Sequence, residues 1–118
     1  MPIQIKRVYD PADRQDGRRV LVDGLWPRGV KKDKLAVTEW AREIAPSAPL
    51  RKWYGHDPKK WREFRQKYRW ELSQPPRREL LDGLVAHARK GTLTLVFGAR
   101  DVERSNAAVI AEMIREKL

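Results

Sequence analysis

The sequence contains no cysteine among its 118 residues. This absence excludes disulfide bonds, thiolate metal sites and cysteine nucleophiles, and it fits a reducing compartment. No segment approaches the ~18 consecutive apolar residues that a membrane-spanning helix needs, and the first residues have the pattern of a strand, not of a signal peptide. We therefore expect a cytoplasmic protein without a membrane partner.

Histidine and serine offer little conventional chemistry in this chain. The only two histidines, His56 and His87, do not have the spacing of metal ligands, so the sequence predicts no metal site and implies no cofactor. Ser47, Ser73 and Ser105 occupy positions typical of helix caps or loops, which leaves a serine nucleophile without support. Whether the protein is an enzyme is left open by these residues.

Positive charge is what the chain has in excess. It carries 26 Lys or Arg against 16 Asp or Glu, a formal net charge of +10, and such an excess is typical of proteins with nucleic acid, phosphate or acidic partners. Residues 51–78 hold ten of the basic residues against three acidic ones. The same segment contains six of the ten aromatic residues, so basic and aromatic side chains are interleaved there.

Hydrophobic patterning predicts three strands. Alternating apolar residues indicate a first strand over residues 2–8, and short apolar runs indicate buried strands over 20–22 and 92–97. Parallel strands buried on both faces have this composition when helices cover the sheet. A fourth strand is allowed by the pattern but is not located by it.

Helical periodicity and capping residues account for most of the remaining chain. Short helical pieces are predicted around Trp40 and Ile44, with Asp33 or Thr38 as N-cap. Further helices are predicted over 50–54 between Ser47 and Gly55, from Asp57 to about Ser73, from Pro75-Pro76 to Gly91, and from Asp101 or Ser105 to the end. The sequence thus predicts a single compact α/β domain over 1–118, with a small, mostly parallel sheet of about three to four strands covered by helices.

The helix from Asp57 has one apolar face and one exposed aromatic residue. Spacings of three and four place Trp61, Phe64, Tyr68 and Leu72 on one stripe, which we expect to be core. At 100° per residue Trp70 falls on the opposite side, among basic residues. Trp70 is therefore predicted to point away from the core.

A ligand is expected where the parallel strands end, because open α/β sheets bind ligands outside the carboxyl ends of their strands. The loops at 9–10, 23–29 and 98–101 follow the predicted strands. We predict that six basic side chains surround an anionic small molecule at this edge: Arg7, Arg19, Arg28, Arg51, His56 and Arg100. Trp26 and Asp101 lie in the same loops and are predicted to contact the ligand as well.

Asp23 and His56 are the candidate catalytic residues. In one hypothesis Arg28 binds a carboxylate or phosphate of the ligand, and Asp23 beside it acts as the orienting or proton-transferring group. In the alternative, Asp23 and Arg28 form a salt bridge that fixes a turn over a core Trp26. His56 would act as acid or base next to a carboxylate, or equally as a loop residue bonded to backbone. In the last loop, Asp101 is favoured as a helix N-cap, and Arg100 is the stronger ligand candidate.

The basic aromatic helix over 57–74 supports an alternative function, a module that binds nucleic acid or an acidic partner. In this hypothesis Trp70 stacks on a base while basic side chains contact phosphates: Lys59, Arg62, Arg65 and Arg69. The competing interpretation is a solvated helix face, with Trp70 packed on another element or on a second copy. No established nucleic-acid-binding motif is present.

Several motifs in order along nearly the whole chain resemble one family. They are Arg7-Val8-Tyr9-Asp10, Asp16-Gly17-Arg18-Arg19, Val22-Asp23-Gly24-Leu25-Trp26-Pro27-Arg28-Gly29, Ala45-Pro46-Ser47, Leu50-Arg51-Lys52-Trp53-Tyr54-Gly55-His56-Asp57-Pro58, and Arg100-Asp101 with Asn106. Together they resemble the short, cysteine-free branch of the YeaO-like family, domain of unknown function 488. The resemblance implies an α/β fold with a small, mostly parallel sheet and no established activity.

Two departures from the family pattern limit what the resemblance implies. Members usually have an arginine where this chain has Gly24, so an anion site that depends on that arginine would be weakened here. Longer members carry a Cys-His-Arg near the last strand, where this chain has Gly98-Ala99-Arg100-Asp101. Cysteine chemistry therefore does not carry over.

Overall fold

Four short strands form one sheet in the computed structural model, which describes residues 2–118. They are β1 (Ile3–Arg7), β2 (Arg18–Leu21), β3 (Glu39–Trp40) and β4 (Leu93–Phe97), in the spatial order β1-β4-β2-β3. Each neighbouring pair is parallel, so all strands end at the same edge of the sheet. The predicted α/β class and small parallel sheet are confirmed.

Within the described range, five α-helices connect and cover the strands. They are α1 (Lys32–Leu35), α2 (Ala48–Tyr54), α3 (Trp61–Leu72), α4 (Arg77–Lys90) and α5 (Asn106–Lys117). The predicted caps of α2 are confirmed, because the Ser47 hydroxyl accepts a hydrogen bond from the Leu50 N–H and Gly55 follows the helix with φ 54°. A left-handed backbone of this kind favours glycine at a helix C-terminus.

One face of the sheet forms the main core. Ile3, Val20, Leu95 and Phe97 point to this face and pack against α3, α4 and α5. The predicted stripe of α3 belongs to this core: Phe64, Tyr68 and Leu72 are buried, and Trp61 packs partly buried beside them. Alternation along the strands separates these residues from the opposite face.

The opposite face is covered by loops and α1 and contains an apolar half and a polar half. A small cluster of Val8, Leu21, Leu35 and Val96 forms the apolar half. The polar half is centred on Asp16, whose carboxylate is 2% exposed and accepts hydrogen bonds from four donors: Gln4 Nε2, Lys6 Nζ, Arg19 Nη1 and the Asp13 N–H. A buried carboxylate is tolerated because each of its oxygens is paired.

Two local predictions are wrong. The segment around Trp40 is not helical but forms β3, because the Thr38 and Ala41 N–H groups donate to the carbonyls of Arg19 and Leu21 along the edge of the sheet. This tertiary hydrogen bonding outweighs a short helical pattern. Only the 3-10 turn Arg42–Ile44 follows.

The last helix begins after Ser105, one of its two predicted starts, and the prediction that Asp101 caps it is wrong. The alternative Ser105 is the N-cap of α5, since its Oγ accepts from the Ala108 N–H, while Asp101 lies in the preceding turn. Asp101 instead accepts hydrogen bonds from the backbone and guanidinium of Arg104.

Candidate functional site

A cavity of about 300 Å³ opens at the carboxyl ends of β2 and β4. These strands are neighbours in the sheet although they lie far apart in the chain, so the residues that follow them meet at one place. Asp23 and Gly24 follow β2, Gly98 and Ala99 follow β4, and the start of α5 completes this side. The cavity therefore lies where the parallel sheet predicts a ligand.

The Asp23 carboxylate joins these elements. Its Oδ2 accepts a 2.8 Å hydrogen bond from the Gly98 N–H, and its Oδ1 accepts one of 3.1 Å from Asn106 Nδ2. Burial raises the pKa of the Asp23 carboxyl above its ordinary value, although these bonds and the nearby His56 and Arg51 act in the opposite direction. A half-buried carboxyl with a raised pKa in a cleft is typical of functional sites.

Two arginines and one histidine line the same cavity. They are Arg51, His56 and Arg104. Arg51 extends from α2 across the loop after β2, so that a Cβ atom at Gly24 would lie 3.6 Å from its Nη1. Among residues 2–118, Arg51 has no ion-pair partner, whereas Arg104 pairs with Asp101 at 3.0 Å. The Arg51 charge is thus available to a ligand.

His56 stands at the rim of the cavity in an unusual backbone conformation. Its φ of 56° lies in the left-handed region, directly after Gly55 in the same region. Such a conformation costs free energy in residues other than glycine and is concentrated at functional sites. The turn directs His56 toward the cavity, 6.1 Å from the Tyr54 ring centroid.

An aromatic pair forms part of the cavity wall. The rings of Tyr54 and Phe64 stack with centroids 4.2 Å apart. The Tyr54 hydroxyl donates to the Arg104 carbonyl at 3.0 Å and so connects α2 to the turn before α5. Leu25, Ala45 and further apolar atoms give the cavity a mixed apolar and charged lining.

The predicted cationic residues do not all converge on this cavity. Arg19 is 5% exposed and its guanidinium donates to Asp16 and to the carbonyls of Leu35 and Ala36 on the opposite face of the sheet. Arg7 lies behind the cavity, where it donates to the carbonyls of Gly98 and Ala99. Neither side chain lines the cavity.

The other loop residues lie outside the cavity as well. Arg28 and Arg100 are exposed, and the predicted alternative of an Asp23–Arg28 ion pair is not formed. Trp26 belongs to the small apolar cluster, donates through Nε1 to the Val30 carbonyl and packs edge-on against Trp40. Of the predicted site residues, the structure therefore brings together at the cavity only Asp23, Arg51 and His56.

The basic helix α3 is partly neutralised by α5. Arg65 and Arg69 both donate to the Glu112 carboxylate, and Arg69 also donates to Glu116. Burial alone would raise the pKa of Glu112, but the two arginines hold it below its ordinary value. These side chains thus pack two helices together.

Within the part of the chain that the structure describes, the remaining members of this predicted surface form no such ion pair. Lys59 and Arg62 are exposed, and Trp70 is 65% exposed, which confirms its predicted direction. Trp70 lines a shallow groove together with Trp53, whose ring lies 4.3 Å from Lys67 Nζ.

Three residues of the cavity lining were not predicted as site residues from the sequence: Arg104, Ser105 and Asn106. Asn106 Nδ2 donates to the Asp23 carboxylate and also to the Val22 carbonyl, which fixes the start of α5 against the end of β2. The available signal was the run of polar residues between β4 and the last helix. No pattern within that run shows which of its members face β2.

Residues 2–118 contain neither a metal-binding cluster nor a membrane-spanning helix. No group of three or more His, Asp or Glu side chains has an arrangement that could hold a metal ion. No helix of this range is both long and apolar enough to cross a membrane.

Comparison with known proteins gives one consistent result. The family model described as "Inactive DUF488-N3 subclade" matches residues 2–118. The chain is 44% identical over 115 residues to the uncharacterized protein YeaO of Escherichia coli, covering 98% of each chain. It is 40% identical over 116 residues to the uncharacterized protein Rv3073c of Mycobacterium tuberculosis, covering 95% of this chain and 92% of that one. No solved structure shows significant similarity.

Proposed function

Because the chain belongs to the YeaO-like DUF488 family, we propose that its cavity binds a small anionic molecule and does not transform it. The description of the matching subclade as inactive favours binding over turnover. The observation that carries the proposal is the guanidinium of Arg51, which lies at the cavity without an ion-pair partner. An unpaired guanidinium at a cleft suits a carboxylate or phosphate.

The surroundings of Arg51 support an anionic ligand. His56 and Arg104 line the same cavity, whose lining contains two arginines and a single carboxylate, that of Asp23. A volume of about 300 Å³ is at the lower end for small-molecule sites, and the Tyr54 and Phe64 rings supply apolar surface for the body of a ligand.

The position of Asp23 favours a binding role over proton transfer. Both of its oxygens already accept hydrogen bonds from Gly98 and Asn106, which hold the ends of β2, β4 and α5 together. A carboxylate held in this way positions the cavity wall. Asp23 and His56 remain the groups that an activity, if found, would use.

Titration with inorganic phosphate, followed by amide NMR shifts, tests the proposal. We expect the largest shifts at Gly24, Gly98 and Asn106, which surround the cavity. Arg51→Gln should weaken binding by about 10- to 100-fold, because a hydrogen bond to a charged group contributes roughly 1.5–3 kcal/mol.

Arg62→Gln is the matched control, because it removes the same charge from an exposed position on α3. It should leave phosphate affinity unchanged apart from a small, salt-dependent effect. Shifts confined to α3, or equal losses in the two variants, would contradict a site at the cavity.

The exposed Trp70 favours a second candidate function, binding of single-stranded nucleic acid by α3. Arg62 is exposed on the same helix and Lys59 on the 3-10 turn before it, but Arg65 and Arg69 are already paired with Glu112. This pairing reduces the charge available to phosphates, so we rank this function below the cavity.

Fluorescence anisotropy with a labelled single-stranded oligonucleotide at low salt tests this candidate. If α3 binds, Trp70→Ala should weaken binding by about 1–3 kcal/mol through lost stacking, and affinity should fall steeply with salt. Arg28→Gln, which removes an exposed charge elsewhere, is the control. Equal effects of Trp70→Ala and Arg28→Gln would exclude a specific role for α3.

A further inference from the structure

The Asp23 carboxylate lines the cavity without a cationic partner from the protein. Its two hydrogen bonds come from neutral groups, the Gly98 N–H and the Asn106 amide, and no ion pair among residues 2–118 includes it. Asp23 is half-buried, and a carboxylate that loses part of its hydration is commonly paired with a positive group. The contrast with Asp16, which is ion-paired to both Lys6 and Arg19, shows the usual arrangement in this same chain.

Asp23 retains the capacity to accept further hydrogen bonds. An ionised carboxylate offers about four lone-pair sites, and protein donors occupy two of them. Because Asp23 lines the cavity, a hydrogen-bond donor on a ligand can reach its two remaining lone-pair sites.

An unpaired carboxylate and an unpaired guanidinium thus border one small cavity without contacting each other. Arg51 lies over Gly24, the residue next to Asp23, and is close enough to influence its ionisation. A ligand with complementary charges at its two ends would pair with both groups at once.

We infer that the ligand is a small zwitterion, whose ammonium group binds Asp23 and whose carboxylate or phosphate binds Arg51. This inference rests on the proposed function and adds the second charge. The wall formed by Leu25, Pro46 and Phe64 suits an apolar body between or beside the charges, so the ligand class is an amino acid with an apolar side chain.

Calorimetric titration of matched ligands tests this inference. Leucine is compared with isocaproate, which lacks the ammonium group, and with isoamylamine, which lacks the carboxylate. Phenylalanine is compared in the same way with hydrocinnamate and phenethylamine. We expect leucine or phenylalanine to bind about 10- to 100-fold more tightly than either of its analogues, because each loses one charged hydrogen-bond partner.

Variants then assign the two charges. Asp23→Asn should remove the preference for the amino acid over the carboxylate analogue, because it removes the charge with which the ammonium group pairs. Arg51→Gln should weaken the binding of the amino acid and of its carboxylate analogue by a similar factor. Arg62→Gln should change neither.

The outcomes separate this inference from the proposed function. If the carboxylates bind as tightly as the amino acids, if neither amino acid binds, or if the preference survives Asp23→Asn, the zwitterion is wrong. In those cases binding of phosphate or carboxylate that depends on Arg51 still supports the anion site. Loss of all binding, phosphate included, would remove both proposals.

Discussion

Asp16→Asn is expected to lower the free energy of unfolding by about 3–5 kcal/mol at neutral pH, the usual cost of removing one partner from a buried ion pair. The substitution preserves the shape of the side chain but removes its charge. Arg19, at 2.6 Å from the carboxylate, and Lys6, at 3.0 Å, would lose their partner, and Arg19 is itself buried. Urea denaturation measures the loss.

The effect of Asp16 should depend on pH in a defined direction. Burial would raise the pKa of Asp16, but the hydrogen bonds from the Asp13 N–H, Lys6 and Arg19 outweigh it and leave the pKa below the ordinary value of 3.8. A carboxyl with a lowered pKa stabilises the fold above that value and loses its contribution as pH falls through the folded pKa. The difference between wild type and Asp16→Asn should therefore be full at pH 7 and should shrink below about pH 3.8.

Asp82→Asn provides the control for this prediction. Asp82 forms an exposed ion pair with Lys117 at 3.4 Å, and exposed pairs contribute about 0–1 kcal/mol. If the two variants lose similar stability, the polar cluster around Asp16 is not the stabilising feature that its burial indicates.

Gly24→Leu is expected to abolish ligand binding at the cavity, with a loss of at least about 100-fold. Gly24 lines the cavity, and a Cβ atom there would already lie 3.4 Å from the Cβ of Ala45 and 3.6 Å from Arg51 Nη1. The rest of a leucine side chain would occupy ligand space and displace the guanidinium. Because the backbone of Gly24 is not in the left-handed region, the substitution adds no backbone strain. The phosphate titration measures the loss.

Gly83→Leu adds the same side chain at a position with open space around it, in the exposed part of α4. It should retain binding and increase stability by up to about 1 kcal/mol, since leucine is a better helix former than glycine. Circular dichroism should show that both variants keep the native helix content. Unchanged binding in Gly24→Leu would place the ligand elsewhere.

This protein uses charge in two different ways. Around Asp16, opposite charges are paired and buried on one face of the sheet, where they contribute stability. At the cavity, Asp23 and Arg51 are left without ion-pair partners among residues 2–118. Leaving the half-buried Asp23 unpaired costs free energy, which a bound ligand of complementary charge would recover, whereas the exposed Arg51 is available to such a ligand.

Much of the fold follows from local patterns in the sequence. The stripe from Trp61 to Leu72 and the caps Ser47 and Gly55 predict helices that the structure contains. Local rules succeed here because helix periodicity and capping depend on residues within about four positions of one another. They fail around Trp40, where hydrogen bonds to β2, a distant strand, decide the conformation.

The sequence by itself determined the class of fold, the edge of the sheet at which a cavity would form and the excess of positive charge. Tertiary structure alone decided which charged residues share that cavity. Asp23 reaches Gly98 across 75 positions of the chain because β4 inserts between β1 and β2, and Arg65 meets Glu112 because α3 packs on α5. Strand order and helix packing are set by burial of the whole core, so no local pattern distinguishes Arg51, which is free at the cavity, from Arg19, which is buried in an ion pair.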